Sequence, residues 1–269
     1  TILITGASKG FGKLWAKAFL ERGDKVVATA RKVSDLDDLV SDFPELVTPI
    51  QLDVTDRNAV FKAVKEAHSS VGTIDVLINN AGFGLFGTIE ENTEEEARQQ
   101  IETNVFGLLW VTQAILPLMR AQGHGHILQL SSALGLTAVP TLGIYSASKF
   151  AVEGLSESLA AEVAQFGIKV TIVEPNGFTT DWAGSSATQS ETMDVYDGVR
   201  EAFKNAVKAE DYGDPAATPA AILALVDSEN PPLRMFLGSV GYPWIQHVYQ
   251  QRLQVWEEWK ETSAAAQGK

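Results

Sequence analysis

The chain has 269 residues, 45% of them apolar, with 22 Gly and 10 Pro, a composition that excludes collagen-like, linker-like and disordered character. Thirty-four acidic against 21 basic side chains give a net charge of -13, a surface that repels phosphate backbones and anionic lipid, so neither a nucleic-acid nor a membrane partner is expected. The absence of Cys excludes disulfides, thiolate metal sites and Cys nucleophiles.

No apolar run approaches the roughly 18 residues of a membrane helix. The chain opens at once with Ile2-Leu3-Ile4 instead of a basic region followed by a cleavable apolar one. A cytoplasmic location is therefore the expectation. At about 150 residues per domain the length allows one or two, and α/β folds run to roughly 250 residues around one sheet. The expectation is a single dinucleotide-binding and catalytic domain over 1–269.

In chain order, short runs rich in Val and Ile alternate with stretches of helical period. The runs are Ile2 to Ile4, Val26 to Ala28, Pro49 to Leu52, Val76 to Ile78, His126 to Leu130 and Val170 to Val173. Strands apolar at successive positions are expected where helices cover both faces of a parallel sheet. This predicts an α/β, Rossmann-like, doubly wound parallel sheet with ligand space outside the carboxyl ends of its strands.

Between the runs, Phe11, Leu14, Trp15, Ala18 and Phe19 make one apolar helical stripe, and Val60, Ala63, Val64 and Ala67 another. Two longer helices are predicted over about 94–121 and 146–166, each with a second apolar face suited to a subunit contact. The alternation breaks after Val173. Residues of about 179–210, small and polar before turning helical, read as a lid over substrate. A helix over about 243–262 carries Ile245, Val248, Tyr249, Leu253, Trp256 and Trp259 toward the body or a neighbouring subunit, and 263–269 reads as a frayed tail.

After the first run stands Thr5-Gly6-Ala7-Ser8-Lys9-Gly10-Phe11-Gly12. Its glycines permit a tight turn and close backbone approach, and the helix it opens presents N–H groups and a positive dipole end to a pyrophosphate. An NAD-preferring site usually carries a carboxylate about 20 residues later. Here Ala28-Thr29-Ala30-Arg31 stands instead, and Arg31, with Lys9 in the turn, favours the 2′-phosphate of NADP(H). Asp53-Val54 ends the third run, reading as an adenine contact or as part of the helix cap that Thr55-Asp56 can supply. Asn79-Asn80-Ala81-Gly82 ends the fourth, where the amides can tie strands together and Gly82 admits the cofactor.

Tyr145-Ser146-Ala147-Ser148-Lys149 carries the chemistry. Residues at i and i+4 share a helix face, so the Lys149 ammonium can approach the Tyr145 phenol. A cation there favours the phenolate of a group whose ordinary pKa is about 10, and makes the pair a general acid/base. Ser132, thirteen residues upstream at a strand end, can hold a carbonyl oxygen while Tyr145 protonates it. Ser131 reads as a strand-end hydrogen bond, and Ser146 and Ser148 as helix-start polar residues. No metal is expected: His124 and His126 flank a turn, and His68 and His247 stand alone. No G-x-S-x-G elbow supports an esterase.

In this order and spacing, Thr5-Gly6 to Gly12, Asn79 to Gly82, Ser132 and Tyr145/Lys149 resemble the short-chain dehydrogenase/reductase family over nearly the whole chain, of the carbonyl-reductase-like, NADP type. The resemblance implies a catalytic tetrad of Asn104, Ser132, Tyr145 and Lys149. In it Asn104 supports the Lys and a water chain, and Lys149 also holds the nicotinamide ribose. It implies hydride transfer to or from a carbonyl or alcohol carbon, and a homodimer or homotetramer through the two long helices. Family members usually have Pro-Gly after the sixth strand. Here Pro175-Asn176-Gly177-Phe178-Thr179-Thr180 stands there, with Asn176 expected in a left-handed turn. Pro175, Asn176, Gly177, Phe178 and Thr180 are the expected nicotinamide-side contacts.

The expected substrate contacts, Leu85, Phe86, Ala133, Leu134, Phe178 and Trp182, are apolar and aromatic. They predict an NADP(H)-dependent oxidoreductase acting on a hydrophobic ketone or secondary alcohol, with Tyr145 as general acid/base. A 3-oxoacyl-thioester reductase is the alternative within enzymes. A non-catalytic NADP-binding sensor or interaction protein is the alternative of another class.

Overall fold

The computed structural model describes residues 1–184 and 186–268. Seven strands, β1 (Ile2–Ile4), β2 (Val26–Ala30), β3 (Val47–Gln51), β4 (Val76–Asn79), β6 (Gly125–Leu130), β7 (Ile168–Pro175) and β9 (Arg234–Leu237), form one sheet in the order β3-β2-β1-β4-β6-β7-β9. Every pairing is parallel. The order reverses between β1 and β4, which opens a crevice at the carboxyl edge. Two short strands, β5 (Leu85–Phe86) and β8 (Thr188–Gln189), pair separately above that edge.

The six apolar runs are strands, with ends shifted by a few residues; the third covers Val47–Gln51 in place of 49–52. The seventh strand, Arg-Met-Phe-Leu, was not expected. It is an edge strand paired only with β7 among the described residues, and three of its four residues are half-buried. It therefore lacks the unbroken apolar run of the central strands.

The helices are α1 (Gly10–Arg22), α2 (Asp37–Asp42), α3 (Arg57–Val71), α4 (Glu94–Ile101), α5 (Leu108–Gln122), α6 (Gly143–Val163), α7 (Asp197–Ala206), α8 (Thr218–Asp227), α9 (Gly241–Glu258) and α10 (Lys260–Ala265). On one side of the sheet Trp15, Phe19, Leu39 and Ile222 pack on Ile2, Ile4, Val26 and Ala28. On the other, Val60, Val64, Ile115 and Leu159 pack on Leu3, Val27, Leu77 and Ile127. Alternate residues of each central strand thus enter opposite cores, so these strands carry apolar residues at successive positions. Asp56 caps α3 by accepting from Ala59 N at 2.9 Å, as Thr55-Asp56 promised. The stretch Glu94–Gln122 reaches a mean hydropathy of 1.2 over its most apolar window, and α5 within it packs on α3.

Three boundaries differ from expectation. The helix predicted over 94–121 is interrupted by a π-helical turn, Glu102–Gly107, between α4 and α5. α6 begins at Gly143, so Tyr145 lies inside its first turn. α10 extends helix into the expected tail. Of the expected face of α9 only Ile245 is buried, against Ala133 and Leu136; Tyr249, Leu253 and Trp256 of α9, and Trp259 just beyond it, are exposed, so the expected packing on the body is confined to the start of the helix.

α1 and α8 are joined by a buried hydrogen bond from Trp15 Nε1 to Thr218 Oγ1, 2.8 Å. Trp15→Phe keeps most of the apolar contact and removes the donor. It is expected to lower the unfolding free energy by about 1–3 kcal/mol in urea titration; an unchanged midpoint would show that the bond contributes nothing net.

Candidate active site

The turn after β1 is built around glycines that need to be glycine. Gly6 and Gly10 have φ of 68° and 56°, the left-handed region where a β-carbon is strained. A β-carbon on Gly12 would fall on the Gly6 carbonyl oxygen and lie 2.5 Å from Asn80 Nδ2. Asn80 locks the turn from β4: its Nδ2 donates to the Thr5 and Gly6 carbonyls at 2.9 Å each, and its backbone N–H donates to Thr5 Oγ1 at 3.0 Å. Asn79 ties β4 to β6 and α5, donating to Gln129 Oε1 at 2.8 Å and Thr112 Oγ1 at 3.0 Å. This cradle, with the α1 N-terminus behind it, has the form a pyrophosphate needs.

The cleft above it has a volume of about 2120 Å³, against roughly 300–1,000 Å³ for one drug-sized ligand, so it has room for a dinucleotide and a second molecule. Ser8, Lys9, Phe11, Arg31, Asp53, Val54, Ala81 and Gly82 line it from the cradle side. Lys9 and Arg31 are exposed, and the Arg31 side chain makes no ion pair among the described residues. Asp53 Oδ1 accepts from Thr55 N–H and Oγ1 at 3.0 and 2.7 Å, so this carboxylate also shapes the turn into α3.

Ser132, Tyr145 and Lys149 meet on the floor of the cleft, at the ends of β6 and the start of α6. The Lys149 ammonium donates to the Leu130 carbonyl at 2.7 Å and lies 5.7 Å from the centre of the Tyr145 ring. Ser132 Oγ accepts from Leu134 N–H at 3.1 Å and donates to the Pro175 carbonyl at 3.5 Å. Asn104 does not line the cleft. It sits on the π-helical turn, buried, with Nδ2 donating to the Phe83 carbonyl at 3.0 Å and Ser148 Oγ at 3.1 Å. Phe83 N–H donates back to Asn104 Oδ1 at 3.1 Å. Ser148 in turn donates to the Tyr145 carbonyl at 2.6 Å. Ser148, expected only as a helix-start residue, is thus the link between Asn104 and the Tyr145 turn. Its i+3 spacing to Tyr145 was the available signal; the π turn left none, because the periodicity across it is that of one long helix.

Burial dominates the electrostatics. It pushes the Tyr145 phenol well above its ordinary value, with the Ser132 hydroxyl beside it pulling the other way. It lowers Lys149 to about 8, with the negative charge of Glu153 opposing that shift. The expected acidification of Tyr145 by Lys149 is therefore reversed in the chain alone: desolvation outweighs the ammonium.

The remaining expected contacts divide. Phe86 lines the cleft, but Leu85 is buried beneath it, because successive residues of β5 point to opposite sides. Trp182 stacks at a tilt on both Tyr145 and Phe86, with ring centres 4.8 and 5.3 Å apart. Ala133, Leu134, Pro175, Gly177 and Thr180 line the cleft. Phe178 also lines it, but packs edge-on against Phe11, 5.2 Å between centres, on the cradle side and away from Trp182. Among the described residues Thr141 is the one non-glycine with positive φ, 65°. Asn176 therefore does not take the left-handed backbone expected of it; its Nδ2 bridges the Gly177 and Asp211 carbonyls at 2.8 and 3.4 Å. His126 bonds Thr171 Oγ1 and His124 bonds Asp75, so the two histidines have separate partners.

The expected lid, 179–210 apart from Ser185, which lies outside the described residues, holds Trp182, β8 and α7, and α7 turns Val199, Ala202 and Phe203 to the cleft. A latch fastens it, which sequence reading missed. Glu91, almost wholly buried, accepts from Thr88 N–H at 2.8 Å, Met193 N–H at 2.7 Å and the Arg200 guanidinium. These donors hold its carboxyl down at about 2, the backbone N–H groups of Met193 and Thr88 first.

The profile of the short chain dehydrogenase family matches residues 1–191. The chain belongs to that family and is an oxidoreductase. It is 39% identical over 267 residues to the oxidoreductase BOA17 of Botryotinia fuckeliana, covering 98% of this chain and 97% of that one. It is 42% identical over 241 residues to a 3-ketodihydrosphingosine reductase of Bacteroides thetaiotaomicron, covering 88% and 87%. Among solved structures, a short-chain dehydrogenase from Streptomyces avermitilis superposes with a TM-score of 0.92 at 39% identity over 99% of both chains. ElxO with NADP bound superposes with a TM-score of 0.73 at 27% identity, over 89% of this chain and 96% of that one.

Arg200→Ala is expected to free α7 and raise limited proteolysis within 191–212 several-fold, with far-UV circular dichroism unchanged. Because the Glu91 carboxyl lies below its ordinary value, the latch is fully formed above about pH 4.5 and lost only as pH falls toward 2. Equal cleavage rates for variant and parent at pH 7 would show that Arg200 fastens nothing.

Proposed function

We propose that the chain is an NADP(H)-dependent reductase of a hydrophobic ketone, or the corresponding secondary-alcohol dehydrogenase, with Tyr145 as general acid/base. The observation that carries this reading is the convergence of Ser132, Tyr145 and Lys149 on the floor of a cleft with a glycine cradle on one side and apolar side chains on the other. Arg31 and Lys9, at the mouth of the adenosine side, are the residues that would hold the 2′-phosphate. Gly6 to Gly12 would hold the pyrophosphate, and Lys149 the nicotinamide ribose. ElxO, described with NADP bound, supports the same cofactor here.

When bound, the reduced nicotinamide supplies the hydride. The chain's own residues do the rest. Ser132 orients the carbonyl oxygen by hydrogen bonding. Tyr145, kept protonated by burial, gives its proton to that oxygen as charge develops on it, and in the reverse direction takes it back. Lys149, fixed by the Leu130 carbonyl, presents a positive charge beside the phenolate left behind. Asn104 and Ser148 hold the first turn of α6 against the π-helical turn. Residues 179–210 close as a lid, with Trp182 and Phe86 excluding water from Tyr145.

Phe86, Trp182, Val199 and Phe203 give the substrate side an apolar wall, which fits an aliphatic or aromatic ketone. The Bacteroides relative, named for a 3-keto lipid, supports the same class. Phe106, Phe150 and Leu155, partly exposed on the π turn and α6, support a homodimer or homotetramer through the long helices.

The test is NADPH consumption across aliphatic, aromatic, steroid and acyl-thioester ketones. Tyr145→Phe is expected to lower kcat by about 10²–10⁴-fold with NADPH affinity unchanged; full activity would remove Tyr145 from the reaction. Arg31→Ala is expected to weaken NADPH about 10–100-fold, the equivalent of one charge-assisted contact of about 1.5–3 kcal/mol, and to leave NADH unaffected. Equal losses for both nucleotides would overturn the choice of cofactor.

A further inference from the structure

Directly behind the site lies a group of charged side chains that the proposed reaction does not use. Glu174, the penultimate residue of β7, has no exposed surface, and neither of its carboxyl oxygens has a hydrogen-bond partner. Glu153, one helical turn beyond Lys149 on α6, is 5% exposed, and its Oε1 has no partner either. Ser131 Oγ, at the end of β6, is the fourth orphan. It lies with Glu153 around Gly135, where a β-carbon would stand 2.5 Å from the Ser131 oxygen and 3.1 Å from Glu153 Oε1.

One cation serves this group. Arg234 on β9 donates from Nε to Glu153 Oε2 at 3.0 Å and from Nη2 to the exposed Glu157 at 2.7 Å, and its Nε lies 3.5 Å from Glu174 Oε1. From the other packed elements, Lys149 acts on Glu153 along α6 and is already bonded to the Leu130 carbonyl. Arg252 on α9 is committed to the Leu136 carbonyl. The end of β6 contributes no charge. With all three carboxylates ionised, one guanidinium in contact and one ammonium beyond contact distance would face three negative charges, two of them out of water. Two carboxylates in one desolvated site do not both ionise at neutral pH.

We propose that Glu153 and Glu174 form a buried carboxyl pair that retains one proton, carried by Glu174, and that the charge on this pair sets how strongly Lys149 holds its own proton. The proton belongs on Glu174 because Glu153 has a direct guanidinium donor and a nearby ammonium, whereas Glu174 has neither at bonding distance. Protonating Glu174 also removes the charge of the carboxyl that has no donor on either oxygen. Burial, then the Glu153 charge, raises Glu174 to about 8, and burial raises Glu153 as well. The pair touches the site from three sides: Glu153 follows Lys149 on α6, Ser131 precedes Ser132, and Glu174 precedes Pro175, whose carbonyl accepts from Ser132. Neither carboxyl reaches the cleft, so both act through the charge they present to Lys149.

The sign of the pH dependence follows. A carboxyl raised in the folded chain stabilises it fully below its ordinary value near 4.5, and that contribution is lost as pH rises through about 8. Glu174→Gln, a permanent mimic of the protonated form, should escape the loss. Between about pH 4.5 and 8 the parent Tm is expected to fall relative to that of Glu174→Gln, and to run parallel above that range. Infrared difference spectra of the parent protein should show a protonated-carboxyl band near neutral pH that disappears on titration through about pH 8 and is absent from the variant. Tm curves that run parallel below about pH 8 as well, or no such band in the parent, would overturn the pair. The infrared titration needs no variant and decides the matter even if Glu174→Gln does not fold.

The coupling to Lys149 rests on the proposed reductase reading. Above pH 8 the parent gains a second negative charge behind Lys149, which holds its proton to higher pH. In Glu174→Gln the alkaline decline of kcat for NADPH consumption is therefore expected about half a pH unit or more lower. Superimposable profiles, with the Tm and infrared results in place, would overturn the role toward Lys149. A parent that consumes no NADPH with any ketone would sink the reductase reading and leave the carboxyl pair standing on the first two measurements.

Discussion

The site depends on a buried ammonium. Lys149 is 6% exposed, and its one hydrogen bond among the described residues is to the Leu130 carbonyl at 2.7 Å. A lone ammonium in such a place tends to lose its proton, and it is lowered to about 8 here. What holds its position is a backbone oxygen of the sheet. β6 lies between β4 and β7 with paired neighbours on both sides, so Leu130 is fixed by sheet register. α6 is pinned to that point through Lys149, and helical geometry then places Tyr145 one turn back. Side-chain chemistry on the helix is thereby set by strand pairing in the middle of the domain.

From that anchor the surrounding irregularities have a common logic. The π-helical turn at 102–107 places Asn104 where its amide spans the Phe83 carbonyl and Ser148. π turns cost hydrogen-bond quality and cluster at functional sites. Thr141, a β-branched residue at φ 65°, hands the chain into α6, and its carbonyl accepts from Gly87 N–H at 2.9 Å. This strain buys the contact between the end of β5 and the start of the helix that carries Tyr145. Glu91 performs a similar service for the segment above the cleft, as one carboxylate accepting donors from a loop, a turn and a helix.

The architecture was legible in the sequence to the extent that it rests on local pattern. Six strands announce themselves because each carries a run of buried apolar residues, unbroken in the central strands β1 and β4 and shorter in β3, an edge strand of pattern Val-Thr-Pro-Ile-Gln. The α3 stripe of Val60, Ala63, Val64 and Ala67 is the buried set in the fold. β9 escaped because an edge strand carrying Arg234 needs only one covered side. The cradle, Ser132, Tyr145 and Lys149 could be found because turn chemistry and helical spacing are sequence-local. Leu85, the backbone of Asn176, the latch and the bridging role of Ser148 could not, because each is decided by what lies across space. Leu85 and Phe86 are adjacent and both apolar; only the pleat of β5 sends one to the cleft and the other to the core.

The electrostatic reversal at Tyr145 belongs to the same limit. Spacing alone puts an ammonium near a phenol and predicts an easier ionisation, since spacing carries no information about solvent. The fold removes water from both groups at once, and a desolvated phenol and a desolvated ammonium each favour the neutral form. The phenol thus keeps its proton and the amine's hold on its own weakens, with Glu153 restoring part of that hold. A protonated phenol beside an amine of marginal charge is poised to give a proton to an oxygen that becomes negative, because the departure of the proton creates the anion that the ammonium then stabilises. Neither group needs to be ionised to excess beforehand, and the low dielectric that suppresses charge in the resting chain strengthens the attraction once charge appears.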